Sequence, residues 1–363
     1  VLTVRDVLAG LERYAPPAKA AEWDPVGLQV GDLGRAVRAA AVCHEVTDAV
    51  VEVIAADPVD LLVTYHPLLF EPVVRFTSGA HPAGRALRLA ELGVALAVAH
   101  TDADVAAGGV ADALADALGI ADAVGFAPIW GADSLKVTTF VPAGDADRVA
   151  DAMAEAGAGV IGDYTGCSFR VRGTGTFRAP AHGSPAVGVA GETTRAEEMR
   201  LEMVVPASRR DAVVAALAAA HPYEEPAYDV VERRGDAGFA GRIGAAPPDA
   251  TLGDVAERVR SSLGGVVRVA GEPARPVRRL AVVPGSGAAM IPAAADAGAD
   301  AVVTGDVGHH RARAALERGM AVVDPGHAAT ERPGVARLYA AVAALVPGAR
   351  DLSATDADPW RGP

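Results

Sequence analysis

The stretch Asp324-Pro325-Gly326-His327-Ala328-Ala329-Thr330-Glu331 follows an apolar run, Ala321-Val322-Val323, and sets His327 and Glu331 four residues apart. A helix starting at or just after Gly326 puts imidazole and carboxylate on one face. Neutral imidazole beside a carboxylate is a common ligand pair for a divalent transition metal, although a solvated helix face gives the same spacing. Two further apolar runs end in residues of the same kind: Leu61-Leu62-Val63-Thr64-Tyr65-His66, and Val94-Ala95-Leu96-Ala97-Val98-Ala99-His100 followed by Asp102 and Asp104. Strand ends that converge on one edge of a sheet are where α/β proteins place their chemistry. Together the three runs predict one metal site assembled from both ends of the chain.

Outward from these runs, the first third of the chain alternates strand with helix. Val4, Val7, Leu8 and Leu11 have helical spacing, and Pro16-Pro17 close that segment. Residues 22–32 read as a loop entering a short apolar run, with Trp23 buried in a turn or, alternatively, placed near the site. Strands are expected over 39–43, 60–65 and 94–99, and helices over 47–56, 81–92 and 110–118. Pro67 ends the second strand straight after His66 and makes the turn rigid. Asp104 suits two roles, cap of the following helix or metal ligand. The alternation is that of a parallel or mostly parallel sheet with helices outside.

The pattern changes after Trp130-Gly131-Ala132. A β-branched strand over 135–141 precedes a helix over 145–156. Glycine-rich turns and short strands follow, at Gly157-Ala158-Gly159 and Gly173-Thr174-Gly175-Thr176-Phe177. A strand over 199–205, a helix over 209–220 and a strand over 227–231 complete the series. Strand, helix, strand, strand, helix, strand is the ferredoxin-like order, and about 100 residues is a full domain. Residues 133–232 are therefore expected to form an inserted α+β domain within a discontinuous α/β core of residues 1–132 and 233–363. Residues 235–244 read as a linker back into that core.

In the last segment a helix over 252–263 precedes a strand over 279–283 that ends in Pro284-Gly285-Ser286-Gly287. Such a turn can hold an anion on its backbone N–H groups, but it lacks the Walker lysine and the full dinucleotide pattern. A strand over 301–304 ends in Gly305-Asp306, with His309-His310 just beyond. Adjacent histidines diverge on a helix, so at most one of them faces a site. A last helix over 335–345 leads into a polar tail.

At 363 residues the chain is long enough for two or three domains. Its net charge of −13 argues against nucleic-acid binding, since no basic stripe offsets phosphate repulsion. A small anionic substrate stays open, because a metal supplies positive charge locally. The only two cysteines, Cys43 and Cys167, lie far apart and fit a reduced protein without a disulfide framework. Residues 1–6 show no basic segment leading into an apolar one, and no apolar run of about 20 residues exists. No signal peptide, no membrane span and a cytoplasmic location are expected.

The outer segments resemble the NGG-interacting-factor-three-like (NIF-three-like) family of dinuclear-metal proteins, also called GTP cyclohydrolase 1 type 2 homologues. The resemblance rests on Trp23-Asp24-Pro25-Val26-Gly27-Leu28-Gln29-Val30-Gly31, Tyr65-His66-Pro67, His100-Thr101-Asp102-Ala103-Asp104, Gly285-Ser286-Gly287, Thr304-Gly305-Asp306 with His309-His310, and Gly326-His327 with Thr330-Glu331, in the family's order. The inserted segment resembles the P-II-like and CutA-like domain of longer bacterial members through residues 157–164, Cys167-Ser168-Phe169, residues 173–177 and residues 221–229. For residues 221–229 a tight structural turn competes with a small-ligand site, and the turn is the favoured reading.

The resemblance implies His66, Asp104, His327 and Glu331 as metal ligands, with Glu331 bridging two ions. Many members have a second histidine where Tyr65 stands, and Asn where Pro25 stands. A phenol is a poor ligand until ionised, with a pKa of about 10, so that metal position is weakened, empty or filled by another group such as His100. The expected cofactors are divalent ions, one or two per chain, zinc first and iron, manganese or magnesium as alternatives. The function implied is that of a metal-dependent hydrolase, with activated water attacking a nucleotide-like or phosphorylated small molecule and His100 or Tyr65 moving the proton. The alternative is a non-catalytic metal-binding oligomer or small-molecule sensor. In either case the resemblance implies a homohexamer built from trimers.

Overall fold

Short apolar runs form the strands that carry the site. Ala40–Cys43, Leu61–Thr64 and Ala95–Val98 are buried at every position, as expected of strands covered on both faces. The computed structural model describes residues 1–130, 134–161, 164–183, 185–206, 209–232, 238–356 and 358–360. It divides into two compact units, Val1–Trp130 with Gly238–Pro363, and Gly131–Ala237.

In the first unit those strands lie parallel in the register Cys43↔Thr64↔Val98. Arg350–Asp351 extends the sheet in parallel beside Ala40–Cys43, and Gly27–Val30 closes it antiparallel to Ala95–Val98. One face packs Val42, Leu61 and Val63 with Val4, Val7 and Leu338. The other packs Cys43, Leu62 and Leu96 with Val50, Ile54 and Leu89 of the helices Asp48–Ala56 and Pro82–Glu91.

A second sheet of six strands runs Arg268–Ala270, Ala321–Asp324, Ala301–Val303, Arg279–Val282, Gly238–Ala245, Ala121–Trp130. Ala321–Asp324, Ala301–Val303 and Arg279–Val282 are parallel, and the remaining pairings are antiparallel. Helix Val110–Ala117 serves both sheets, with Val110 in the core of the first and Leu114 and Ala115 in the core of the second. It meets helix His327–Leu345 at Gly334, where a Cβ would lie 2.5 Å from Val110. The α/β class read from the sequence holds: the sheet built from the first third of the chain is mostly parallel, with only Gly27–Val30 antiparallel, and the last segment adds a second, mixed sheet.

The second unit is a four-stranded antiparallel sheet ordered Tyr228–Glu232, Ser134–Pro142, Thr193–Pro206, Ser168–Arg178. Helices Ala146–Glu155 and Arg210–Ala220 cover one face, burying Val149, Met153, Val213 and Leu217 against Val137, Val141, Leu201 and Met203. Taken in chain order, the strands stand fourth, first, third, second across the sheet.

Several local readings are corrected. Of the supposed linker 235–244, residues 235–237 lie outside the described residues, and Gly238–Ala245 is a strand paired on both sides. Its glycines make room for close neighbours rather than loosen the chain: a Cβ on Gly241 would lie 2.3 Å from Phe126 and one on Gly244 2.3 Å from the Ala121 carbonyl oxygen, while on the neighbouring strand a Cβ on Gly125 would lie 2.3 Å from Phe239. Gly173 and Gly175 sit inside the eleven-residue strand Ser168–Arg178, not in a turn. The helix considered at or just after Gly326 does start at His327, and it runs on without a break through the one read over 335–345, carrying Pro333 inside it. The polar tail supplies a strand, Arg350–Asp351. Among the described residues no helix is long and apolar enough to cross a membrane.

Candidate metal centre

Parallel pairing continues past the strand ends of the first sheet. Tyr65 N–H donates to the Cys43 carbonyl at 3.1 Å, His66 N–H to the His44 carbonyl at 3.0 Å and Ala99 N–H to the Thr64 carbonyl at 3.1 Å. This sets His44, Tyr65, His66 and His100 side by side. From the second sheet, strand Ala321–Asp324 leads through Gly326, at φ +95°, into the helix that begins at His327. Glu331 lies one turn in and is 3% exposed.

Three imidazoles converge on that carboxylate. His44 Nε2 lies 2.7 Å and His66 Nε2 3.0 Å from Glu331 Oε2, while His327 Nε2 lies 3.0 Å from Oε1. One donor atom from each of His44, His66 and Glu331 falls within 4.8 Å of the others, the spacing of a group able to hold a metal ion. The sequence reading named His66, His327 and Glu331 and missed His44. Part of the signal was available: His44 directly follows the apolar run 39–43, as His100 follows the run 94–99.

Each partner is positioned in turn. His327 Nδ1 meets Asp306 Oδ2 at 2.7 Å, a carboxylate–histidine contact of the kind that orients metal ligands. Asp356 Oδ2 accepts from the His44 N–H at 2.7 Å and the Glu45 N–H at 3.0 Å. Gly305 admits the start of the C-terminal helix, since a Cβ there would lie 2.7 Å from His327 Cα. A Cβ on Gly285 would lie 2.4 Å from Glu331 Oε1.

Beside this group Tyr65 donates its hydroxyl to Asp104 Oδ1 at 2.5 Å. The Tyr65 ring centroid is 5.2 Å from that of His100 and 5.0 Å from that of His66. His100 Nδ1 contacts Asp24 Oδ1 at 3.0 Å, and Asp24 Oδ2 also accepts the Thr101 N–H at 2.9 Å. Asp104 is not the cap of the next helix: it lies inside a short helix, Thr101–Val105, and Gly109 is the cap. Trp23 is 62% exposed rather than buried in a turn, with its ring 6.3 Å from that of His100.

Electrostatics follow from burial and pairing. Burial pushes the Glu331 carboxyl up, but contacts with His327, His44 and His66 together hold it well below the usual carboxylate range. The Glu331 contact, against the effect of burial, raises His327 to about 9. Burial raises Asp104 to about 7. Burial, then the charges of Asp104 and Glu331, push the Tyr65 phenol well above its ordinary value, so Tyr65 stays a donor at neutral pH. Burial lowers His100, but Asp24 and Asp104 outweigh it and the net shift is upward.

Two other stretches read from the sequence can be placed. His309 and His310 are both exposed on helix His309–Glu317. In the 284–287 turn, Gly285 N–H donates to Thr330 Oγ1 at 2.8 Å and Gly287 N–H to Thr304 Oγ1 at 2.9 Å. Those two donors hold the turn together and are not offered to an anion.

The donor set suits a divalent cation. Imidazole nitrogens and a buried carboxylate oxygen are ligands for zinc, iron or manganese. Without a cation, each imidazole nitrogen facing Glu331 must carry a proton to donate to it, so a cation and those protons compete for one place.

The family model described as Duf34/NIF3 (NGG1p interacting factor 3) matches residues 2–356. The chain is 36% identical over 339 residues to the GTP cyclohydrolase 1 type 2 homolog of Bacillus subtilis, covering 92% of this chain and 91% of that protein. It is 39% identical over 336 residues to the protein of that name from Mycobacterium tuberculosis, covering 90% and 88%. Among solved structures, the Bacillus cereus protein related to NIF3 aligns with a TM-score of 0.66 at 35% identity, over 99% of both chains.

Proposed function

The chain belongs to the Duf34/NIF3 family, and on that premise we propose that it is a metal-dependent hydrolase of a nucleotide-like or phosphorylated small molecule. The observation that carries this reading is the convergence of His44, His66 and His327 on the buried Glu331 carboxylate. These four residues would hold one or two divalent ions, zinc first, with iron, manganese or magnesium as alternatives. When bound, such an ion supplies a Lewis acid and lowers the pKa of water toward neutrality.

The chain's own groups manage position and protons. Asp306 orients His327 through Nδ1. Asp24 takes Nδ1 of His100 and leaves Nε2 as the nitrogen that exchanges a proton. Asp104, raised to about 7 by burial, is the second group able to gain or lose a proton near neutrality. Tyr65, held protonated, serves as donor to Asp104 rather than as a ligand.

One observation favours a non-catalytic metal-binding oligomer instead: the Tyr65 hydroxyl ties up Asp104, a carboxylate expected to bind metal. In both readings the expected assembly is a homohexamer built from trimers in the cytoplasm, with no nucleic-acid or membrane partner. Light scattering coupled to gel filtration tests the assembly.

The deciding experiment reloads metal-free protein with each ion and follows hydrolysis of GTP and a panel of phosphate esters, beside His44→Ala and Glu331→Gln. Activity that needs the ion and vanishes in both variants, with assembly intact, supports the hydrolase. Variants that dissolve the assembly while no substrate responds would leave the metal a structural role.

A further inference from the structure

We infer that the unit Gly131–Ala237 carries a binding site of its own, a cleft around Glu198 that takes a small organic ammonium ion with an apolar body. The cleft has a volume of about 920 Å³, within the range of small-molecule sites.

Its floor is the edge strand Ser168–Arg178 and its neighbour, where Gly173 stands opposite Glu198. Glycine weakens a strand interior and marks places where something approaches the backbone closely. Here the two glycines have distinct uses. A Cβ on Gly175 would lie 2.0 Å from Glu198 Oε2, so its absence makes room for the carboxylate. A Cβ on Gly173 would meet nothing within 4 Å and would stand in the cleft itself.

Glu198 is 8% exposed and accepts the Tyr223 hydroxyl on Oε1 at 2.8 Å. Among the described residues no cation pairs with it. The cationic residues lining the cleft are engaged elsewhere: Arg172 pairs with Glu197 at 2.7 Å and Arg200 with Glu202 at 2.8 Å. Glu224 and Glu225 add two further carboxylates at the mouth. A carboxylate this buried calls for a positive partner, and the balance of the lining is negative.

The walls are aromatic. Phe140, Phe177 and Tyr223 line the cleft, with Phe177 and Tyr223 edge to face at 5.9 Å. Aromatic faces beside a carboxylate attract an ammonium group and cover an apolar body. Tyr223 is held in place by His221, whose Nδ1 accepts the Tyr223 N–H at 3.1 Å while Nε2 donates to the Phe140 carbonyl at 3.0 Å. That pattern keeps the imidazole neutral, so His221 does not supply the missing charge. The two sequence words at 173–177 and 221–229 thus meet in one place that the metal centre does not use.

The test is calorimetric titration of the full chain with phenethylammonium, phenethyl alcohol and hydrocinnamate, on wild type, Glu198→Gln and Gly173→Val. Valine is favoured in strands and at Gly173 enters open space, so this variant blocks the cleft without disturbing the fold. We expect the ammonium ion to bind, the alcohol and the acid to bind roughly tenfold or more weakly, and each variant to weaken the ammonium by a similar factor at unchanged metal content. The site is overturned if phenethylammonium gives no saturable binding up to about 10 mM, or if the alcohol or acid matches it. It is equally overturned if Gly173→Val binds phenethylammonium as wild type does.

Discussion

Tyr65 and Asp104 share a 2.5 Å hydrogen bond where the buried Tyr65 ring meets a half-buried carboxylate, with the phenol as donor. A neutral hydroxyl thus occupies the side of the carboxylate where a second imidazole or a cation would otherwise stand. Replacing Tyr65 by His frees Asp104 and adds a nitrogen donor at the same strand end. Elemental analysis should find more metal per chain in Tyr65→His than in wild type; equal content would mean that the phenol does not limit occupancy. Tyr65→Phe leaves Asp104 half-buried without its donor and should cost about 1–3 kcal/mol of stability in denaturant unfolding.

Asp306 reaches the centre only through His327 Nδ1. Partners of this kind typically change metal affinity by about 10–100-fold when removed. Asp306 sits at φ +57°, a conformation that asparagine tolerates, so Asp306→Asn tests the contact without a backbone penalty. Competition titration against a chelator should show weaker zinc binding in Asp306→Asn and wild-type binding in His309→Ala and His310→Ala. Equal binding in all three would remove Asp306 from the centre.

His221 gives the second unit a pH dependence. Burial holds this imidazole below its ordinary value. A base whose folded pKa is depressed contributes stability that is present above the unfolded value, about 6.5 for histidine. That stability is lost as pH falls through the folded value. The groups around it act in both directions: the Phe140 carbonyl, Glu198 and Asp145 favour the charged form, Arg148 opposes it, and burial prevails. Thermal unfolding of the full chain should therefore show a larger loss on acidification from pH 7 to pH 5 in wild type than in His221→Gln, pH values spanning the ordinary pKa of about 6.5. Parallel pH profiles would show that His221 is not the group responsible.

The elements that build the centre were legible because buried parallel strands leave an unmistakable trace, a continuous apolar run with a polar residue at its end. Leu61–Thr64 with His66, Ala95–Val98 with His100 and Ala321–Asp324 with His327 all follow it. Ala40–Cys43 follows it too, yet His44 carries no motif that singles it out. Its place depends on the register Cys43↔Thr64, which is a pairing between strands and not a property of either. The strand Gly238–Ala245 was hidden for the opposite reason. Its glycines imitate a flexible linker, whereas their function is to receive Phe126 and the other packed groups of the neighbouring strands. Of the two places read for Trp23, the second holds: an aromatic ring in a short turn is ordinarily core, but here it stands exposed beside Phe70 and His100.

Gly285 separates shape from ligand identity at the centre. It donates no side chain to the site, yet a Cβ there would stand 2.4 Å from Glu331 Oε1 and 3.3 Å from His327 Nε2. Gly285→Ala should therefore push the Glu331 carboxylate off His327 and lower metal content, although every ligand is still present. Part of any effect would come from backbone strain, because Gly285 has φ +61° and a side chain in that region costs about 1–2 kcal/mol. Gly326 supplies the control: it has φ +95° but nothing within 4 Å of its Cβ. Gly326→Ala carries strain at the start of the same helix without the contact. Elemental analysis of both variants should show metal lost in Gly285→Ala and largely kept in Gly326→Ala, with both destabilised in thermal unfolding. Equal loss in the two would make strain at the helix start the cause, and the direct contact with Glu331 would carry no weight.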